Sequence, residues 1–180
     1  MFPLFFYFCS IMQDPTQTAE VKRILSFLEE IGIAVIEREL TGHTFVPGLA
    51  LGPNCIYMDK TRMLYPGDLL HEAGHLAVTK AELREKIGTP EMDPAWPSGG
   101  DEMGAILWSY AALKHIGIAP EIVFHPHGYK KDSEWLIKTL NDKQYIGMPF
   151  LEWIGLALSE AKAKQLGQPA FPKMLKWMRD

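Results

Sequence analysis

The residues best suited to chemistry form one short segment, His71-Glu72-Ala73-Gly74-His75. Residues four apart on a helix project from the same face about one turn apart, so both imidazoles could reach one tetrahedral Zn²⁺ ion. Glu72 follows the first imidazole, which places its carboxylate beside the metal rather than on it. There it could take a proton from a zinc-bound water and pass it to a leaving amine. The spacing predicts a zinc site at His71 and His75, with Glu72 as the catalytic base.

A catalytic zinc site usually has three protein ligands and an open fourth position. Glu102 is the strongest third candidate, because it begins an inward-facing stripe on the next long helix. That stripe continues at helical spacing through three residues: Ile106, Ser109 and Leu113. An acid at the head of an apolar stripe needs a partner, and a metal would serve. The alternatives are Asp101 as the ligand, or two acids that merely complement the helix N-terminus.

Cys55 offers a thiol that could also bind zinc. It falls in a predicted strand, however, and a buried cysteine needs no function to explain it. Ala81 stands six residues after His75, where a third histidine would mark another branch of the zincins, so that branch is excluded.

A second group of polar residues follows in the loop His125-Pro126-His127-Gly128-Tyr129. A histidine or tyrosine near the metal could donate a hydrogen bond to the oxyanion of a tetrahedral intermediate. We therefore predict that His125 and His127 are catalytic. Three tyrosines could take the same role: Tyr110, Tyr129 and Tyr145. The other interpretation is that a loop of histidine, proline and glycine only connects two elements.

The composition is typical of a globular protein, since 47% of the 180 residues are hydrophobic and 22% are charged. A formal net charge of −4 without a Lys/Arg-rich block argues against nucleic-acid binding. Two cysteines cannot form a disulfide framework, which favours a reducing compartment and predicts a cytoplasmic protein. Residues 1–12 are almost wholly apolar but too short to span a membrane. We predict that residues 1–11 are an extension or a segment that packs on a partner; a signal peptide is the alternative.

The elements that must position these residues can be predicted from hydrophobic periodicity and turn residues. Pro66-Gly67-Asp68 begins the helix of the motif, and Asp68 could accept its first free N–H groups. Thr79 and Glu82 predict a capping box for a short helix. The segments are helices at 18–31, 68–78, 98–116, 132–140, 149–166 and 172–178, strands at 33–40, 55–58 and 122–124, and a loop at 47–52. This is an α+β fold with helices around a small sheet and the motif on a central helix.

Residues from about 20 to 115 resemble the ImmA/IrrE family of small bacterial zinc metallopeptidases. The similar layout starts with an N-terminal helix, the strand Ile33–Glu37 and the glycine-containing loop Pro47–Gly52. A short strand, Ile56–Asp59, then precedes the helix with HExxH, and a helix with an acidic residue comes after it.

This resemblance implies a gluzincin-like fold with three zinc ligands and a base: His71, His75, Glu102 and Glu72. It also implies cleavage of a protein substrate inside the cell, often a transcriptional regulator. Under this interpretation residues 12–117 are the zincin-like core. Residues 118–180 are a mainly helical part packed on that core, so the chain is one domain overall.

The resulting hypothesis is a zinc-dependent hydrolase, a small metallopeptidase that attacks an amide carbonyl with activated water. A first alternative keeps the zinc but serves as a regulatory or partner-binding module without activity. A second alternative is a structural zinc closed by a fourth ligand such as Cys55 or His125, or a helical protein without metal. The expected partner is a peptide or protein, and the sequence leaves the substrate, the cleavage site and oligomerisation open.

Overall fold

The computed structural model describes residues 18–129 and 132–180. Within them the chain forms eight helices and one sheet of three strands. In chain order the elements are α1 (Ala19–Glu30), β1 (Ala34–Glu37), β2 (Leu49–Gly52), β3 (Cys55–Met58), α2 (Asp68–Val78), α3 (Ala81–Arg84), α4 (Gly99–Ile116), α5 (Pro120–Val123), α6 (Ser133–Asn141), α7 (Met148–Trp153) and α8 (Glu160–Leu166). The predicted α+β class is confirmed, and the predicted extension at residues 1–11 lies outside the described residues.

The first helix begins where its sequence provides a cap. The Thr18 hydroxyl accepts a hydrogen bond from the backbone N–H of Val21 at 3.3 Å. The inner face is apolar at helical spacing and fully or almost fully buried: Val21, Ile24, Phe27 and Leu28. Gly32, at φ +83°, turns the chain toward β1. The helix predicted at 18–31 is confirmed.

The sheet has β3 in the middle, with β1 parallel on one side and β2 antiparallel on the other. Ile56 of β3 is fully buried and pairs with Val35 of β1 and Leu51 of β2. The prediction of a loop at 47–52 is wrong, because most of it forms β2. Asn54, at φ +54°, then turns the chain back into β3. The turn residues were thus part of a hairpin whose first strand is four residues long.

The predicted strand at 33–40 is shorter in the structure and ends at Glu37. The backbone N–H of Leu40 donates to the buried Asp59 carboxylate at 3.0 Å instead of to a neighbouring strand. A side-chain acceptor has therefore replaced the ladder partner, which periodicity alone could not indicate.

The strand predicted at 122–124 is wrong, because this segment belongs to the short helix α5 and its end. Pro120 occupies the first turn of that helix, where its fixed φ favours helical backbone and its missing N–H costs nothing. The short apolar run was therefore compatible with either structure, and the preceding proline decides for a helix.

The predicted helices near the C-terminus are corrected at two places. The segment at 149–166 forms two helices, α7 and α8, with Gly155 at φ +74° between them. The segment at 172–178 is not helical. It packs on the core instead, where the backbone carbonyl of Trp177 accepts a hydrogen bond from the Trp108 indole N–H at 2.9 Å.

The core centres on α2 and α4, which pack against each other. Every residue of α4 from Gly104 to Leu113 is buried, as expected for a helix enclosed on all sides. Helix α5 and helix α7 cover further parts of α4. Among the helices of the described ranges, none is long and apolar enough to cross a membrane.

Candidate metal centre

Helix α2 carries the HExxH residues and is buried along most of its length. Leu69, Leu70 and Leu76 are at most 1% exposed and anchor the helix in the core. His75 is also buried, whereas His71 is partly exposed. The two imidazole rings lie one turn apart with centroids 4.7 Å apart. The local geometry that the motif predicts is therefore present.

Close packing of α2 on α4 brings the acidic residue to the two imidazoles. A Cβ atom on Gly74 would lie 2.8 Å from the backbone oxygen of Ala105, so only glycine fits there without a shift. The Ser109 hydroxyl joins the two helices, because it lies 3.2 Å from the carbonyl oxygen of Leu70 and 2.7 Å from that of Ala105. Glu102 precedes Ala105 on α4 by about one turn and is thereby held opposite the motif.

The start of α4 assigns different roles to its two neighbouring acids. Ser98 and Asp101 form a capping box, in which the Asp101 carboxylate accepts the Ser98 backbone N–H at 2.9 Å. Glu102 instead faces the imidazoles: Oε1 lies 3.5 Å from Nε2 of His71, and Oε2 lies 3.3 Å from Nε2 of His75. The structure thus brings Glu102, and not Asp101, to the histidines.

The three side chains present their ligand atoms at the spacing that a tetrahedral metal requires. The Nε2 atoms of His71 and His75 are 3.1 Å apart, so the three separations with Glu102 run from 3.1 to 3.5 Å. Ligands bound to zinc at 2.0–2.1 Å in a tetrahedron lie about 3.3–3.4 Å from each other. His71, His75 and Glu102 therefore form a group that could hold a metal ion.

The electrostatics of the group favour a neutral imidazole at His71. The pKa of His71 is lowered to about 4, first by burial and then by the charge of His75, with Glu102 opposing the shift. A neutral imidazole keeps a lone pair for a metal, whereas an imidazolium has none. The Nδ1 atoms of both rings are buried and have no hydrogen-bond partner in the described part of the chain.

Glu72 is buried beside the group, with 9% of its surface exposed. Its pKa is raised to about 7, chiefly because burial disfavours the carboxylate; Asp68 and Glu102 raise it further, and His75 opposes them. A carboxyl group of this pKa can both accept and release a proton near neutral pH, as a general base requires.

A second acid–imidazole cluster lies at the start of α2. His125 Nε2 is 3.0 Å from Asp68 Oδ1, and the His125 ring stacks on Tyr65 with centroids 3.8 Å apart. Gly67 permits this arrangement, because a Cβ atom there would lie 2.0 Å from the backbone oxygen of Ile122. The prediction that Asp68 caps α2 is wrong: it is the first helical residue, and its carboxylate pairs with His125.

A cleft of about 510 Å³ connects the two clusters. His71, Glu102, His125 and His127 all line it, so both predicted catalytic histidines lie in the same cleft as the metal group. Of the two, His125 is buried and His127 is exposed. Phe45, which is fully exposed, also lines this cleft.

Tyr129 also lines this cleft, beside the candidate metal ligands. Its ring lies 5.7 Å from the His71 ring, and its buried hydroxyl has no hydrogen-bond partner among the described residues. Burial, and then the charges of Asp68, Glu102 and Glu72, hold the pKa of Tyr129 well above its usual value. The hydroxyl therefore keeps its proton and can donate it to a ligand in the cleft.

The other candidates from the sequence lie elsewhere. The Tyr110 hydroxyl bonds the Asn141 side chain at 3.2 Å, and Tyr145 packs edge-on against Phe171. Cys55 is buried in β3 and is not part of the metal group. The capping box predicted at Thr79 and Glu82 is also absent from α3, because Thr79 Oγ1 donates to the His75 carbonyl at 2.7 Å.

Sequence reasoning missed two kinds of residue at the site. Asp68 and Tyr65 orient His125. Both lie 57 or more residues before His125 in the sequence, and no spacing rule links positions so far apart. Gly74 lies inside the motif and could have been recognised, because a glycine in a buried helix often marks close approach of another helix.

Comparisons of the chain with protein-family models, with curated proteins and with solved structures found no match.

Proposed function

We propose that this chain is a zinc-dependent hydrolase, a small metallopeptidase that cleaves an amide bond in a peptide or protein. The observation that carries the proposal is the convergence of His71, His75 and Glu102 at separations of 3.1–3.5 Å. Glu72 lies beside them on the same helix. Two imidazoles and a carboxylate with an adjacent glutamate are a donor set typical of catalytic rather than structural zinc.

The residues fit zinc in number as well as in spacing. Three protein ligands leave one tetrahedral position open, whereas structural zinc sites use four. His71 and His75 would bind through Nε2, and Glu102 through a carboxylate oxygen. When bound, zinc supplies a Lewis acid that polarises a carbonyl and acidifies water.

The chain's own residues divide the remaining work. Glu72 accepts the proton of the attacking water and delivers it to the leaving nitrogen. Its burial keeps bulk water from competing for that proton. The Tyr129 hydroxyl donates a hydrogen bond to the oxygen that gains negative charge, since it is a protonated donor without another partner among the described residues.

His125 is assigned a second donor or orienting role on the same side of the cleft. The Asp68 carboxylate and the Tyr65 ring fix the position of its imidazole. His127 lies further out and would contact the substrate rather than the reacting atoms. The resemblance to the ImmA/IrrE family suggests a transcriptional regulator as the protein substrate, with cleavage in the cytoplasm.

Metal content and cleavage together test this function. Mass spectrometry of purified protein should find about one zinc per chain. The zinc should be lost in Glu102→Ala but kept in Asp101→Ala. Asp101→Ala is the matched control, because it makes the same charge change on the neighbouring residue. Cleavage of a mixed peptide library, read by mass spectrometry, should stop in Glu72→Gln although its zinc content is normal.

Three results would contradict the proposal. Absence of zinc in the wild type after addition of zinc would remove the metal centre. Equal cleavage by the wild type and Glu72→Gln would show that Glu72 is not the catalytic base. Cleavage by neither protein, with zinc bound, would favour a zinc-binding regulatory module instead.

A further inference from the structure

A second cavity, of about 430 Å³, lies beside the candidate metal centre and is bordered by α4 and α6. Its walls are mainly apolar. The apolar residues include three of α4, two of α6 and one of the loop that follows: Met103, Ile106, Leu107, Trp135, Leu136 and Ile146. Apolar atoms that replace water in such a cavity gain free energy, so the cavity is suited to an apolar ligand group.

Two large apolar side chains of this cavity are exposed to solvent. Trp135 is 58% exposed and Ile146 is 56% exposed. Single exposed apolar residues are common, but neighbouring ones around a concave surface are typical of binding sites. The exposed apolar surface therefore points to a ligand rather than to imperfect packing.

The cavity adjoins the metal cleft. Glu102 and Tyr129 line both of them. A peptide whose carbonyl lies at the metal group would therefore have a neighbouring side chain within reach of the cavity. The cavity therefore belongs to the surface that a peptide bound at the metal group would contact.

The charged groups of the cavity favour an uncharged occupant. Its acidic lining residues are Glu102, which faces the two imidazoles, and Asp132, which is exposed at the start of α6. None of the described lining residues is basic, so an acidic side chain would find no partner among them. A basic side chain would compete with the metal for Glu102.

We propose that this cavity binds a bulky apolar side chain of the substrate, at a position next to the bond that is cleaved. The substrate class is a peptide with leucine, methionine or phenylalanine beside that bond. The inference rests on the proposed hydrolase function, because the metal centre is what fixes the peptide carbonyl at the mouth of the cavity.

Hydroxamates provide a test that does not depend on turnover, because they chelate zinc and are not cleaved. Two series of hydroxamates would be compared, one with the variable side chain before the chelating group and one with it after. In each series the variable side chain would be that of alanine, leucine, phenylalanine, lysine or glutamate. Calorimetry would measure their affinity for zinc-loaded and metal-free protein. In one series we expect the leucine or phenylalanine hydroxamate to bind at least about 10-fold more tightly than the alanine hydroxamate. This preference should be seen only with zinc present.

Trp135→Ala and Ile146→Ala should reduce this preference to a factor of about 3 or less, since each removes part of the apolar wall. Both side chains are more than half exposed, so folding should be retained. Trp153→Ala is the matched control, because Trp153 is 74% exposed but does not line the cavity. It should leave the preference unchanged.

The outcomes separate this inference from the proposed function. Zinc-dependent binding of all hydroxamates with no apolar preference, or with a preference for lysine or glutamate, would overturn the cavity assignment and leave the metal centre intact. An apolar preference that survives in Trp135→Ala and Ile146→Ala would also overturn it. Failure of every hydroxamate to bind in a zinc-dependent way would overturn the proposed function, and the cavity assignment with it.

Discussion

Helix α2 takes part in two acid–imidazole clusters of similar composition but different geometry. At the motif, three ligand atoms of His71, His75 and Glu102 converge within 3.1–3.5 Å of one another. At the helix start, Asp68 and His125 make one contact of 3.0 Å, and the imidazole stacks on Tyr65. One hydrogen bond accounts for the pair, whereas the three converging ligand atoms form a group that could hold a metal ion.

The difference teaches that residue type alone does not distinguish a ligand from an orienting residue. Both clusters contain buried histidines with an unpartnered Nδ1 among the described residues. What separates them is the number of ligand atoms that meet at one point, because the same cleft borders both clusters. The comparison predicts that metal binding depends on one cluster and hydrolysis on both.

The largest effect on zinc binding is expected at the cluster of His71, His75 and Glu102. His71→Ala and His75→Ala should each weaken zinc binding by at least about 100-fold, because one of three ligands is lost, and hydrolysis should fall to background. Competition with a chelator of known affinity would measure the loss. Retention of zinc by both variants would end the distinction between the two clusters.

A smaller effect, confined to hydrolysis, is expected at the other cluster. His125→Ala should lower kcat by about 10²-fold, the cost typical of losing one donor to the oxyanion, with zinc content unchanged. Asp68→Asn should act in the same direction, because the His125 imidazole loses its carboxylate partner. If His125→Ala loses zinc, His125 is itself a ligand and the comparison fails.

The approach of the two helices can be tested at Gly74. Gly74→Ala should destabilise the protein by about 1–3 kcal/mol, because its Cβ atom would force Ala105 away, and should weaken zinc binding by moving Glu102. The control is Gly99→Ala, where an added Cβ meets nothing within 4 Å. Urea denaturation measures the stability, and zinc titration measures the metal affinity. Equal stability and equal zinc affinity in the two variants would show that close packing does not position Glu102.

The smallest effect concerns the hydroxyl that joins α2 to α4. Ser109→Ala removes the contacts with Leu70 and Ala105 and should cost about 1 kcal/mol of stability. Zinc affinity should change by less than in Gly74→Ala, because the helix separation is retained. A larger loss of zinc than in Gly74→Ala would show that this hydroxyl, rather than the glycine, sets the position of Glu102.

Several features of the fold were predictable because they are local. Thr18 and the apolar spacing after it define α1, and the capping residues Ser98 and Asp101 define the start of α4. The strand β2 and the helix α5 were not predicted correctly. Both are runs of four residues, too short for periodicity to separate helix from strand.

The sequence by itself determined that His71 and His75 share one face of a helix with Glu72 beside them, since 3.6 residues per turn leave no other arrangement on a continuous helix. It also indicated Glu102, through the inward stripe that this residue begins. Only the tertiary structure decided that Glu102 reaches the imidazoles, through the close approach at Gly74, and that Asp68 pairs with His125. Those outcomes depend on contacts between residues distant in sequence, and local backbone geometry carries no information about such contacts.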